Sequence, residues 1–358
     1  MRRYSRHLLI PEVGLAGQKR LGGARVLCIG AGGLGSPVLS YLAAAGVGHL
    51  GIMDDDVVDE TNLQRQTLFT MQDIGRNKAA AAAARLHSAN PYISSTAIER
   101  RFEARNAREI VRLYDVIVDC TDSFSSRYAI NDACVLEHRP DVYGSIFRFD
   151  GQVSVFGGDG PCYRCLFPQP PPPGSVPSCA EGGVLGALAG IVGTLQATEV
   201  LKLLLQIGDP LRGRLLVIDS LGARVREVTV ERDPACAVCG DGATLHDVRD
   251  MYAQPPSDVA EIEPGQLTQL RNAILLDVRE PHEAVLGEVD GSVHIPASQL
   301  EARLHELDTS KTYIVACRVG ARSRWAMQRL TDAGFRKLYH LRGGLLAYGL
   351  LHEDFDFF

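Results

Sequence analysis

Ala24-Arg25-Val26-Leu27-Cys28-Ile29-Gly30-Ala31-Gly32-Gly33-Leu34-Gly35 is the stretch that decides the fold. Residues 24–29 form an apolar run without polar alternation, the pattern of a strand buried on both faces of a parallel sheet. Gly30 to Gly35 then match GxGxxG and open a helix expected to run to about Ala45. Glycines at such a turn let the backbone approach phosphate, and the helix N-terminus adds N–H donors and the positive end of its dipole. His49 to Met53 reads as the next strand and ends in Asp54-Asp55-Asp56, where Asp54 can hold ribose hydroxyls. Lys78 to Ser88 reads as a helix, and Val116 to Val118 as a further buried strand ending in Asp119-Cys120-Thr121-Asp122. Strands alternating with helices give an α/β fold with a mostly parallel sheet.

The 358 residues suffice for two domains, and 46% hydrophobic residues let each bury a core. The net charge of −6 and a pI of about 5.9 give no electrostatic footprint for nucleic acid. Nine cysteines, an odd number, in a large chain with no secretory signal argue against a disulfide framework. Val184 to Leu205 is the most apolar stretch, but Gln196, Glu199 and Lys202 make it a buried core helix rather than a membrane span. The chain is therefore expected to be soluble and cytoplasmic. Leu215 to Asp219 and Val225 to Val230 read as later strands. Gln254-Pro255-Pro256-Ser257-Asp258 has linker composition. A second α/β pattern follows it: strand Ile274 to Asp277, helix Leu300 to Leu307, strand Thr312 to Ala316, then Cys317 at a turn into a helix.

On the glycine motif alone the ligand could be NAD or ATP. Asn62-Leu63-Gln64-Arg65-Gln66 and Lys78 tip the balance, because a triphosphate needs cations that stabilise charge moving onto pyrophosphate. Asp122, a hard oxygen ligand at a strand end, suits Mg²⁺. Cys162-Tyr163-Arg164-Cys165 and Cys236-Ala237-Val238-Cys239 are two CxxC pairs; together they make a closed tetrahedral Zn²⁺ site with a structural role. Cys28, Cys120 and Cys134 lie in apolar contexts and read as inert core residues. Cys179 follows a Pro-rich loop and precedes a long helix, a setting that lowers a thiol pKa. In Cys317-Arg318-Val319-Gly320-Ala321-Arg322-Ser323 successive backbone N–H groups can converge on Sγ, with Arg318 and Arg322 adding positive charge. A tyrosine-phosphatase loop would need Arg at Ser323 and commonly His at Ala316.

Arg3-Tyr4-Ser5-Arg6-His7, the glycine motif, Asp54-Asp55-Asp56, NLQRQ, Gly75-Arg76-Asn77-Lys78 and DCTDS, in that order from about Arg2 to Cys239, resemble the MoeB/ThiF adenylyltransferases. Ile274 to Glu280, Gly291 to Pro296, Cys317 and Gly343-Gly344 resemble the rhodanese family over about 263–358. The resemblance implies a Rossmann-like, mixed and mostly parallel adenylation domain with a zinc site over residues 1–245, a linker at 246–262, and a smaller α/β rhodanese-like domain over 263–358. It implies ATP, Mg²⁺ and one structural Zn²⁺ per chain. Gly32 would approach the phosphates and Asp54 the ribose. Asn62 and Arg65 would contact nucleotide, Lys78 the phosphates, and Asp122 the magnesium. Arg6 would reach the neighbouring subunit's triphosphate, which makes the protein a homodimer. Gly30, Gly33, Gly35, Asp56, Gln66 and Ser123 complete the nucleotide candidates. Ser123 stands where the family commonly has Asn. Asp277 and Arg279 are expected to hold the fold.

The implied reaction is adenylation of the C-terminal glycine of a small ubiquitin-fold sulfur carrier ending in Gly-Gly. Sulfur then passes from a Cys317 persulfide to give a carrier thiocarboxylate, with Cys179 engaging the carrier's C-terminus. A cysteine desulfurase or thiosulfate would supply the sulfur. Two alternatives stay open: an NAD(P)-dependent oxidoreductase fused to a sulfurtransferase, and a modifier-conjugation enzyme whose second domain only binds partners.

Overall fold

The computed structural model describes residues 2–158, 160–171, 183–250, 260–269, 273–284, 287 and 289–349. They form two compact units that part between residues 250 and 260. In the first, helices α1 (Ser5–Leu8) and α2 (Gly14–Gly23) precede strand β1 (Arg25–Ile29). Then come α3 (Gly35–Ala45), β2 (His49–Met53), α4 (Lys78–Ala89), β3 (Ser94–Ile98), α5 (Ala104–Val111), β4 (Val116–Asp119) and α6 (Phe124–Leu136). A hairpin of β5 (Asp141–Phe147) and β6 (Asp150–Phe156) follows, and β7 (Arg214–Asp219) and β8 (Arg224–Thr229) end the sheet.

The eight strands lie in the order β3-β2-β1-β4-β5-β6-β7-β8. The first five run parallel, and β6, β7 and β8 each run antiparallel to the strand before. From β1 the chain moves outward to β2 and β3, then returns to place β4 on β1's other side. The order therefore reverses at β1, and a ligand crevice is expected beyond the carboxyl ends of β1 and β4. β1 is apolar because both faces are covered; its last four residues are buried.

The apolar stretch read as a core helix is the helix Gly186–Leu205, beginning two residues later than expected. It is long and apolar enough to cross a membrane by those criteria, yet half of it is buried against α3 and strands β4 to β6. Its polar residues explain the burial. Gln196 donates to the carbonyls of Asp119 (2.8 Å) and Val142 (3.0 Å), and the Glu199 carboxylate accepts from Leu211 N–H (2.8 Å).

The second unit holds β9 (Glu261–Ile262), β10 (Ala273–Asp277), β11 (Val293–His294), β12 (Thr312–Ala316) and β13 (Leu338–Leu341) in a parallel sheet of order β11-β10-β12-β13-β9. Two expectations change here. The helix Leu300 to Leu307 is broken into a turn of α-helix, Leu300–Arg303, flanked by 3₁₀ turns. The stretch taken as linker is also partly structured, since Val248 packs into the first unit's core and Glu261–Ile262 pairs with β13.

One buried ion pair locks the first unit's middle. Arg164 Nε and Nη2 each donate to the Asp132 carboxylate at 2.7 Å, with both side chains buried. The Arg164 guanidinium also lies 4.7 Å from the Tyr128 ring centroid. Leaving a buried guanidinium unpaired costs about 3–5 kcal/mol. Asp132→Ala is expected to destabilise the full chain by that much in denaturant unfolding; an unchanged midpoint would show the pair to be dispensable.

Candidate active sites and metal centre

Gly30, at φ +93, ends β1 so close to β4 that a Cβ would stand 2.7 Å from the Cys120 carbonyl oxygen. A Cβ on Gly35 would run into the Gly30 carbonyl. These two glycines thus serve packing of the turn itself. Gly32 differs: a Cβ there would meet only the Gln66 amide, at 3.4 Å, so its missing side chain leaves the loop open beneath Gln66. Gly33 packs toward Ala189 and the Arg65 stem.

Asp54, just past β2, fixes this loop. Its Oδ2 accepts the Ala31 N–H at 2.8 Å and its Oδ1 accepts the Asp56 N–H at 2.9 Å. Burial raises the Asp54 pKa, opposed by these two N–H groups and by Lys78. The Lys78 ammonium, itself buried, lies 2.7 Å from Asp56 Oδ2 and 3.5 Å from Asn62 Oδ1. Asn62 Oδ1 in turn accepts from Gln66 Nε2 at 2.6 Å, and Gln66 Oε1 is buried without a hydrogen-bond partner among the described residues. Arg65 rests on the Thr61 carbonyl (3.2 Å). The structure so brings Asp54, Asp56, Asn62, Arg65, Gln66 and Lys78 together around the glycine loop. Asn77, given no role from sequence, ties them: it caps α4 through Ala80 N–H (3.1 Å) and donates to the carbonyls of Asp54 and Asp56 (both 3.2 Å). The orphaned Gln66 oxygen, the open Gly32 and the Lys78 ammonium suit the N–H or O–H donors, the phosphate and the charge of a nucleotide.

At the end of β4, Asp119 is buried and accepts from Thr121 N–H (2.9 Å) and Oγ1 (2.7 Å). Asp122 follows and is exposed, two residues past the Cys120 carbonyl that abuts Gly30. Ser123 acts locally, its Oγ capping α6 by accepting Ser126 N–H at a long 3.5 Å. The sequence reading missed Arg127, buried 3.5 Å from Asp119 and donating to the Thr121 carbonyl (3.1 Å), which stiffens the turn carrying Asp122. Arg6 is exposed on α1 and forms no ion pair or hydrogen bond among the described residues. Cys179 lies outside the described residues.

The sulfurs of Cys162, Cys165, Cys236 and Cys239 all lie within 4.8 Å of one another. Cys162 and Cys236 are 3.6 Å apart, Cys165 and Cys239 3.3 Å, and Cys162 and Cys165 3.9 Å. Zinc bound at about 2.3 Å in a tetrahedron sets its sulfurs about 3.8 Å apart, so the cluster fits a Zn²⁺ ion. The N–H groups of Cys162 (3.5 Å) and Asp233 (3.4 Å) point at Cys165 Sγ and would stabilise a thiolate. Burial and the neighbouring thiols push Cys239 up to about 12 and Cys162 higher still, a repulsion that a bound dication reverses.

In the second unit Cys317 is buried at the end of β12, and the Gly320 N–H, from a residue at φ +100, donates to its Sγ at 3.1 Å. Arg322 was expected to add charge here. Both its terminal nitrogens instead pair with the buried Glu283 carboxylate at 2.5 and 2.7 Å, so its charge is neutralised by a residue the sequence reading passed over. Asp277 and Arg279 form a buried ion pair (2.6 Å).

A cation-lined glycine loop at a switch point, a four-thiol cluster and a nested cysteine define a nucleotide-using fold joined to a cysteine-centred domain. Residues 4–238 match the ThiF family and residues 263–350 the rhodanese-like domain, and the chain belongs to the ThiF family. It is 45% identical to the "Probable adenylyltransferase/sulfurtransferase MoeZ" of Mycobacterium tuberculosis, over 97% of this chain and 92% of that one. It is 52% identical to the sulfur carrier protein adenylyltransferase of Thermus thermophilus, over 70% of this chain and 95% of that one. The solved structure of E. coli MccB with MccA-N7isoASN shares the fold at a TM-score of 0.61 and 25% identity, over 67% of this chain and 75% of that one.

Metal analysis of the purified chain is expected to find about one zinc per molecule, lost in Cys236→Ser together with several degrees of thermal stability. A metal-free wild type of equal stability would show that the four thiols need no zinc.

Proposed function

We propose that this enzyme adenylates the C-terminal glycine of a ubiquitin-fold sulfur carrier ending in Gly-Gly and then delivers sulfur to it. The supporting observation is that one chain carries both the cation-lined glycine loop and the nested Cys317. The relatives' names, which join adenylyltransferase to sulfurtransferase, favour the same pairing.

In this reading the carrier carboxylate attacks the α-phosphorus of ATP and pyrophosphate leaves. Gly32 offers backbone room for the phosphates, Asp54 the ribose contact, Asn62, Gln66 and Arg65 further nucleotide contacts, and Lys78 positive charge. Asp122 would hold Mg²⁺, which neutralises phosphate charge when bound. Arg6, exposed on α1, would serve the site of a second copy in a homodimer. The terminal sulfur of a Cys317 persulfide then attacks the acyl carbon and AMP leaves. A second thiol, for which Cys179 is our candidate, attacks the Cys317 sulfur; the carrier departs as a thiocarboxylate and a disulfide stays on the enzyme. The persulfide comes from a cytoplasmic donor such as a cysteine desulfurase, or from thiosulfate. Carrying both reactions on one chain raises the effective concentration of persulfide near the acyl-adenylate. An NAD(P) ligand would gain little from Lys78, and a binding-only second domain would have no use for a strand-end cysteine with a backbone N–H aimed at its sulfur.

The test is ATP–pyrophosphate exchange. A Gly-Gly carrier should support it in the wild type, Asp122→Ala should abolish it, and Cys317→Ala should retain it while losing sulfur transfer. Normal exchange in Asp122→Ala, or no exchange with any such carrier in folded, zinc-loaded protein, would overturn the assignment.

A further inference from the structure

We infer that His340 is a positioning residue for the Cys317 sulfur-transfer loop, acting through Gly320; this rests on Cys317 being the sulfur-bearing residue. His340 is buried on β13, and its ring packs directly under Gly320, where a Cβ would stand 3.2 Å from Cε1. Its Nε2 lies 2.9 Å from the Gly320 carbonyl oxygen and 3.0 Å from Ser323 Oγ. Its Nδ1 lies 3.2 Å from Oε1 of Glu261, the residue paired with it across β13 and β9.

The Gly320 carbonyl also accepts from Ser323 Oγ at 3.0 Å. A carbonyl oxygen and a carboxylate only accept, so with both ring nitrogens protonated Nδ1 donates to Glu261 and Nε2 to Gly320. That bond draws the Gly320 carbonyl toward β13. In a trans peptide the C=O and the following N–H point opposite ways, so the Ala321 N–H is turned away from His340. The same anchor holds Gly320 in its left-handed conformation, from which its own N–H meets Cys317 Sγ at 3.1 Å. Arg322 is paired with Glu283, and a backbone donor on Cys317 Sγ is the Gly320 N–H, whose aim depends on the Gly320 conformation.

The charges facing the ring come from three elements. Glu261 on β9 favours the imidazolium. Arg324, on the helix Ala321–Asp332, opposes it while itself pairing with Glu261 at 2.9 Å. Arg342, past β13, also faces Glu261, at 3.6 Å. Burial, the largest influence, lowers the His340 pKa below the ordinary value, with the Gly320 carbonyl opposing it. At low pH both ring nitrogens carry protons and both acceptors are satisfied. As pH rises through the lowered value one proton is lost, and Gly320 and Glu261 compete for the other, so the anchor loosens.

The test uses the full chain and needs no sulfur donor: iodoacetamide alkylation of Cys317 across pH, read by peptide mass spectrometry, for wild type, His340→Leu and His340→Gln. Gln places an amide N–H near the Nε2 position; Leu fills the space without a donor. Loss of one buried hydrogen bond should slow alkylation by up to about tenfold, most at the low end of the pH range where the wild-type ring is charged and less above it, with Gln restoring the rate to within about twofold. Thiocyanate formation from thiosulfate and cyanide should fall in parallel in the Leu variant, and ATP–pyrophosphate exchange should not change. A folded Leu variant with the wild-type alkylation rate at every pH, or a Gln variant as impaired as Leu, would overturn the inference by reducing His340 to packing. Should Leu fail to fold, ¹⁵N-histidine NMR of the wild type decides: a proton on Nε2 supports the anchor, and a bare Nε2 with the proton on Nδ1 refutes it. A wild type that alkylates as described but never carries sulfur on Cys317 would sink the sulfurtransferase reading and leave the positioning role intact.

Discussion

The nucleotide half of the molecule depends on one carboxylate. Asp54 accepts the Ala31 N–H on one oxygen and the Asp56 N–H on the other, so the end of β2 and the glycine loop after β1 cannot move apart. Asp56 then meets Lys78, Lys78 meets Asn62, and Asn62 meets Gln66, which stands over Gly32. The links from Asp56 to Gln66 are polar contacts between side chains, and each is placed by the one before. A buried carboxylate is costly unless satisfied. Here the same N–H groups that satisfy it define the shape of the loop.

The cysteines of both units follow a related rule with different chemistry. Sulfur is placed in three environments that give it three characters. Cys120 and Cys134 are buried among apolar and acidic neighbours, which pushes their thiols well up and keeps them inert. Four others are clustered so tightly that only a cation reconciles them as thiolates. Cys317 alone among the described cysteines ends a strand with the N–H of a left-handed glycine aimed at its sulfur. Its loop stands on buried ion pairs, Arg322–Glu283 and Arg279–Asp277, which hold charge inside the domain.

Much of this was legible in the sequence where the signal is local. The apolar run to Ile29 with its glycines, the two CxxC spacings and the strand-to-turn setting of Cys317 each state their chemistry within a few residues. The two-residue strands β9 and β11 and the half-polar β3 were not legible, because their places are set by neighbours rather than by an apolar pattern. The broken helix at Leu300 to Glu306 shows that an apolar spacing can be met by mixed turns. The charge on Arg322 was misread because its partner, Glu283, is 39 positions away in sequence. Asn77 and His340 share that character, acting on backbone carbonyls that no side-chain motif reveals.

Joining the two units gives a chain that would both activate a carboxyl and replace its oxygen with sulfur. Intact-mass spectrometry of a Gly-Gly carrier, incubated with the full chain, ATP, Mg²⁺ and a persulfide source, reads that outcome on the product itself. The expected result is a carrier heavier by the exchange of one oxygen for one sulfur, formed only when ATP is present. A carrier that accumulates as its acyl-adenylate and never gains sulfur, while Cys317 demonstrably bears a persulfide, would refute the coupling of the two reactions.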